Sequence, residues 1–458
     1  MAFSAADLLI DCMLASALIV LTKLIREKVR FFQSSFIPVS VLAGLLGLLL
    51  GPAVLNILPF SNSISSYPGL LIILVFVTLG MRGFGSSSNP VSKTRSFERL
   101  GSFFCYREFG KAFQYSMPIL FVIFIMKIFW PQLPDAFGLL MLMGFQGGHG
   151  TSAAVGGVLE KYGWENATDV GMTVATVTLL MSVVLGIVFI KIATKKGWAT
   201  YTPDFNKLSI ELQTGQVPEG KRETVGEVTV TSNVLDSLGW HLALVLVPAG
   251  LGYMLTIWIA KVTGLSLPAF SIGFLIAVLF AYLLKLSKAN KYVDKRIFNH
   301  INGTATDYLV FFGITAIKLY VVIDYFWPLV VFLLFGFAWT TFHFLVLAPK
   351  MMRKHWFEKD VFGYGLSTGV TSISMCLLRI VDPDNKSKTL DDSAILSPIE
   401  AITEIVALAL FPVLIMTGQW YLCVALAGTY MVVLFIIPLL LKWWYNGSKR
   451  ADTRKDLT

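Results

Sequence analysis

Long, nearly uncharged apolar runs dominate the chain. Each is about 18–25 residues, the length that crosses a hydrocarbon core of about 30 Å. Charged residues make up 14% of the 458 residues, against the roughly 25% that solvates a soluble domain. In lipid a backbone must satisfy its own hydrogen bonds, so only helices or a closed barrel can span. These runs are continuous and lack the alternating ten-residue pattern of a barrel strand. The chain therefore reads as an all-α integral membrane protein.

Hydropathy places spans near 5–25, 36–57, 67–84, 113–130 and 168–193, then near 239–262, 267–285, 304–322, 326–348, 395–417 and 421–442. That makes about eleven. The formal charge of +9 does not point to nucleic acid, because the lysines and arginines sit in short loops beside apolar runs, where they set orientation. Lys23, Arg26, Lys28 and Arg30 follow the first span, and Arg107 and Lys111 fall in the basic loop before the fourth. With basic loops inside, the N-terminus lies outside and the C-terminus in the cytoplasm, as in a multi-pass protein of the bacterial inner membrane. The start, MAFSAADLLID, lacks the basic region of a cleavable signal, so the first span is expected to stay. No cysteine spacing points to disulfides or a metal site.

Two stretches, 135–163 and 359–382, are too rich in glycine and polar residues for ordinary spans. Counting either as a span would put every later basic loop outside. They are expected to be re-entrant hairpins, the first entered from outside and the second from inside. The chain then divides into an N-terminal repeat over 1–194, a cytoplasmic linker over 195–238, a C-terminal repeat over 239–418 and an extra span with a basic tail over 419–458. Five spans is an odd number, so the second repeat is inverted relative to the first. Pro38 and Pro268 open equivalent spans. Inverted repeats whose broken elements meet at the midplane are a recurrent plan of secondary transporters.

The first hairpin carries GFQGGHGTSAAVGG. Gln146, Gly147, Gly148, His149, Gly150, Thr151 and Ser152 offer close backbone approach, hydroxyls and polar handles where a half-helix N-terminus would suit a carboxylate. The same glycines would equally serve tight helix packing. In the second hairpin, Ser367, Thr368 and Ser372 present oxygens that suit a hard cation such as sodium, although hydroxyls in spans also bond back to their own helix. Glu400 and Glu404 lie one turn apart within a span, and an intramembrane carboxylate is a functional suspect by default. Glu404, the deeper, is a candidate for the coupling ion. Asp11 and Asp307 are expected near the interface, and His241 and His343 to be packed or interfacial. No nucleotide-binding or hydrolytic motif appears, so no enzyme activity is expected, and transport energy must come from a gradient or a partner.

GGHGTSAA (147–154) running into LEKYGWENATDVGMTVAT (159–176) closely resembles the first hairpin and following span of the bacterial glutamate:sodium symporters. GYGLSTGVTSI (363–373) is similar to that family's second hairpin. The resemblance implies inverted five-span repeats, sodium as coupling ion with no other cofactor, glutamate or a glutamate-like anion as substrate, and a homodimer in the bilayer. It carries Gly147 to Thr151 over as site residues, with Gly363, Tyr364, Gly365 and Thr371. Alternatives are the same scaffold carrying another carboxylate or amino acid, proton-coupled through Glu404, and, from a different class, an ion channel.

Overall fold

The computed structural model describes residues 5–29, 37–82, 93–201, 217, 219–222, 224–263, 267–352, 354–369, 371–382 and 385–444. Part of the linker expected over 195–238, residues 83–92 of the loop after the third span and the tail after 444 lie outside these residues. Among the described residues there is no strand, and nine helices are long and apolar enough to cross a membrane.

The main helices are α1 (Ala5–Lys28), α2 (Val39–Leu50), α3 (Tyr67–Arg82), α4 (Lys93–Phe121), α5 (Gly148–Lys161), α6 (Ala167–Lys196) and α7 (Ser237–Thr263). There follow α8 (Ala269–Leu286), α9 (Lys295–Thr315), α10 (Phe326–Phe342), α11 (Trp356–Thr368), α12 (Thr371–Val381), α13 (Thr389–Met416) and α14 (Trp420–Leu440). Two of the eleven expected spans do not meet the length and hydropathy of the nine. The second is the twelve-residue α2, cut short at Gly51. The eighth is α9, which lies earlier than the expected 304–322 and takes polar Asn299, Asn302 and Asp307 into its body. Large apolar side chains such as Leu9, Ile128, Met254 and Leu440 are well exposed along the helices, as lipid contact requires.

Helices α3 and α9 pack against each other, with α8 on α3 and α2 on α9. Both flanking contacts are made through glycine. A Cβ on Gly80 would stand 2.9 Å from the Phe274 carbonyl, and one on Gly44 would stand 2.9 Å from Ile314 Cβ. Backbones this close replace the hydrophobic drive that helices lack in lipid with dispersion contact. Asn302 on α9 donates to the Val75 carbonyl (2.9 Å) and to Thr78 Oγ1 (2.8 Å) on α3. Asp11 is buried: it accepts from Ser61 N–H, the Ser61 hydroxyl and Tyr67 OH, tying α1 to the start of α3.

The remaining elements surround two hairpins. In the first, a short turn (Asp135–Leu139) and a π-wound segment (Met141–Gln146) lead to Gly147, and α5 returns. At 1.5 Å per residue neither arm exceeds about 21 Å, too short to cross. Both ends lie together, since Phe137 at the entrance and Trp164 beyond the exit are 6.1 Å apart by ring centroids. The wide π-turn leaves the Gly144 carbonyl to accept from Thr178 on α6 at 2.9 Å. The second hairpin is α11 and α12. Its arms meet at Gly365, where a Cβ would lie 2.6 Å from Ser374 Cα.

Candidate functional site

The tips of the two hairpins meet in one cavity of about 860 Å³, within the usual range for a small-molecule site. The first tip contributes Gln146, Gly147 and His149, and the second Gly369 and Thr371. Helices α5 and α12 therefore both begin at the cavity wall, where their free N–H groups and positive dipole ends favour an anion. The far wall is α9, with Asn302, Thr306 and Asp307. Asp307 thus faces the cavity, which Ser40 of α2 also lines.

The expected site residues fall into three places. Gln146, Gly147, His149, Thr371 and Glu404 line the cavity. Gly148, Gly150, Thr151 and Ser152 stand behind the first tip and shape it: Gly148 turns the chain at φ +64°, Ser152 donates to the Gly171 carbonyl at 2.9 Å, and Thr151 packs against Gly147. Gly150 approaches Ile72 of α3. In the second hairpin Gly363 and Ser367 line a small neighbouring void. Tyr364 packs among Phe189 and Phe344, and Gly365 sits between the arms. The hydroxyls of Ser367 and Thr368 both reach back to the Tyr364 carbonyl, at 3.1 and 2.7 Å, and Thr368 also meets Ser182 at 2.8 Å. The side chain of Ser372 lies outside the described residues.

His149 has its tautomer set by neighbours. Thr176 Oγ1 donates its proton to the Met172 carbonyl (2.8 Å), so it accepts from His149 Nε2–H at 3.0 Å. Nδ1 is then a buried acceptor with no partner among the described residues. His241 and His343 are packed, as expected. His241 accepts from Asp294 N–H at 2.8 Å, and His343 stacks on Tyr106 with centroids 4.1 Å apart.

A charged network was missed. Arg107 and Lys111, read as loop charges beside a span at 113–130, belong instead to the continuous helix α4 and line the cavity. Arg107 pairs with Glu400 (2.7 Å) and donates to Ser393 (2.9 Å); Lys111 pairs with Glu108 at 2.6 Å. The signal was present: Arg107, Glu108 and Lys111 have the i, i+1, i+4 spacing that brings charges to one helix side. The positive-inside rule absorbed them as orientation signals. Glu404 lines the cavity half-buried. Among the described residues it makes no ion pair or hydrogen bond to any of them.

Among the described residues no group of three or more His, Cys, Asp or Glu could hold a metal ion. A polar chamber at the tips of broken helices inside a membrane bundle is the site of a transport protein. The family model of the sodium/glutamate symporters matches residues 133–378, more than half the chain with both hairpin tips, and the chain belongs to that family. It is accordingly a transmembrane symporter and not an enzyme. No curated protein matches it.

Proposed function

We propose that this protein takes up glutamate, or a closely similar amino acid with a side-chain carboxylate, across the bacterial cytoplasmic membrane, coupled to sodium entering with it. The observation that carries the reading is the convergence of both hairpin tips on one cavity lined by Glu404, a carboxylate with no ion pair among the described residues. A substrate carboxylate suits the helix N-termini at Gly148 and Thr371. An α-ammonium suits the unpartnered acceptor His149 Nδ1 and the carboxylate of Asp307. Glu404 is the site for the coupling cation. Ser367 and Thr368 are weaker candidates, since their hydroxyls serve the helix that carries them.

The same reading takes the chain as two inverted five-span repeats with the extra span α14, an outside N-terminus, a cytoplasmic C-terminus and a homodimeric assembly. The reciprocal packing of α3 on α8 and α9 on α2 supports the inverted plan, as does a proline opening both α2 and α8.

Titration calorimetry of the purified protein with L-glutamate tests the proposal. Affinity is expected to rise at least about tenfold from sodium-free to sodium-containing buffer, a coupling of about 1.4 kcal/mol. Glu404→Gln should abolish that rise. Equal affinity with and without sodium in the unmodified protein would contradict the assignment.

A further inference from the structure

Helix α14 lies beyond the matched stretch, yet it reaches the charges of the cavity. It packs along α4, and its Tyr430 hydroxyl donates to Glu108 Oε2 at 2.9 Å. Thr403 of α13 approaches the same oxygen at 2.8 Å, but its one proton is shared with the Glu400 carbonyl at 2.9 Å. Tyr430 is thus the dedicated donor. The other carboxylate oxygen of Glu108 holds Lys111 Nζ at 2.6 Å, and Lys111 also donates to the Glu400 carbonyl at 3.1 Å. Glu108 is fully buried and Lys111 is 6% exposed.

A carboxylate so deep keeps its charge only with its oxygens engaged. The network also leaves an imbalance. Arg107 is matched by Glu400 and Lys111 by Glu108, which leaves Glu404 unmatched on the same wall. Lys111 and Glu404 line the same cavity.

We infer that Tyr430 and Glu108 are positioning residues of the transport site: α14 holds Glu108, Glu108 holds Lys111 away from Glu404, and Glu404 is kept available to the coupling cation. This rests on Glu404 being the cation's site. Without the clamp, Lys111 becomes a tethered ammonium beside Glu404, competing with the cation at high effective concentration.

The test is the half-saturating sodium concentration for labelled-glutamate uptake into proteoliposomes. It is measured for the unmodified protein, Tyr430→Phe, Glu108→Gln and the double variant Glu108→Gln/Lys111→Met. Tyr430→Phe deletes one hydrogen bond and should raise the value about threefold. Glu108→Gln should raise it at least about tenfold, the larger effect of unpairing a buried ammonium. Deleting the freed ammonium in the double variant should bring it back to within about twofold of the unmodified protein. A concentration is read, so a smaller folded fraction does not imitate the effect. The clamp is overturned if Tyr430→Phe and Glu108→Gln leave the value unchanged, or if the double variant is no better than Glu108→Gln. If protons rather than sodium drive uptake in the unmodified protein, the sodium assignment fails. The clamp is then judged on the same variants by the half-saturating proton concentration.

Discussion

Gly148 and Gly150 look interchangeable in GGHGT, but the structure separates them. Gly148 has φ +64°, a left-handed conformation that costs an L-residue roughly 1–2 kcal/mol and a β-branched one more. A Cβ on Gly150 would meet only Ile72 Cδ1, at 3.1 Å, the movable end of a flexible side chain. Gly148→Val is therefore expected to reduce glutamate uptake at least about tenfold, while Gly150→Ala stays within about threefold of the unmodified protein. Uptake by equal amounts of inserted protein checks both. Equal loss in the two variants would mean that the tip needs small residues for packing rather than a turn at Gly148.

Sequence patterns reveal elements more readily than they reveal partners. The breaks in the helices near 140–148 and at 369–371 were legible because glycine and hydroxyl residues interrupt apolar runs there. The Arg107–Glu400 pair was not legible, since its members are far apart in sequence and Arg107 alone fits a simpler explanation as a loop charge beside a span. The polar start of α9 was likewise hidden, because Asn302 and Thr306 lower the hydropathy of a helix that is nonetheless central. Helix α9 also anchors part of the linker. Its N-cap, Asp294, accepts from Arg296 N–H at 2.9 Å and from Glu227 N–H at 2.7 Å, and Arg296 reaches Glu227 at 2.7 Å. The hydrogen bond from Arg296 holds the Asp294 carboxyl down at about 2. A depressed carboxyl contributes its stability above the ordinary aspartate range and loses it as pH falls toward about 2. The anchor should thus be intact at neutral pH. Asp294→Ala removes a cap worth about 1 kcal/mol, so amide exchange at the start of α9 and around Glu227 should quicken about fivefold. Unchanged exchange there would show that the linker is held by other contacts.

Across the whole molecule, the family match and the charged network divide the site between two sources. Residues 133–378 supply both hairpin tips and the α9 wall. The flanking helices α4, α13 and α14 supply Arg107, Glu108, Lys111, Glu400, Glu404 and Tyr430. The tips thus belong to the shared family plan, and the electrostatic setting is carried by parts of the chain beyond the match. In the proposed account cation and substrate occupy this one cavity together, and their mutual stabilisation links the two gradients. A tenfold sodium gradient supplies about 1.4 kcal/mol per ion, enough to concentrate a substrate about tenfold when one sodium accompanies it. A monoanion carried with one sodium moves no net charge, so its accumulation would then follow the sodium gradient alone. The most direct measurement is therefore labelled L-glutamate uptake into proteoliposomes with a sodium gradient, a proton gradient and a membrane potential imposed one at a time. The account predicts transient accumulation above the external concentration under the inward sodium gradient, lost when sodium is equal on both sides. Accumulation under the proton gradient with none under the sodium gradient would contradict it.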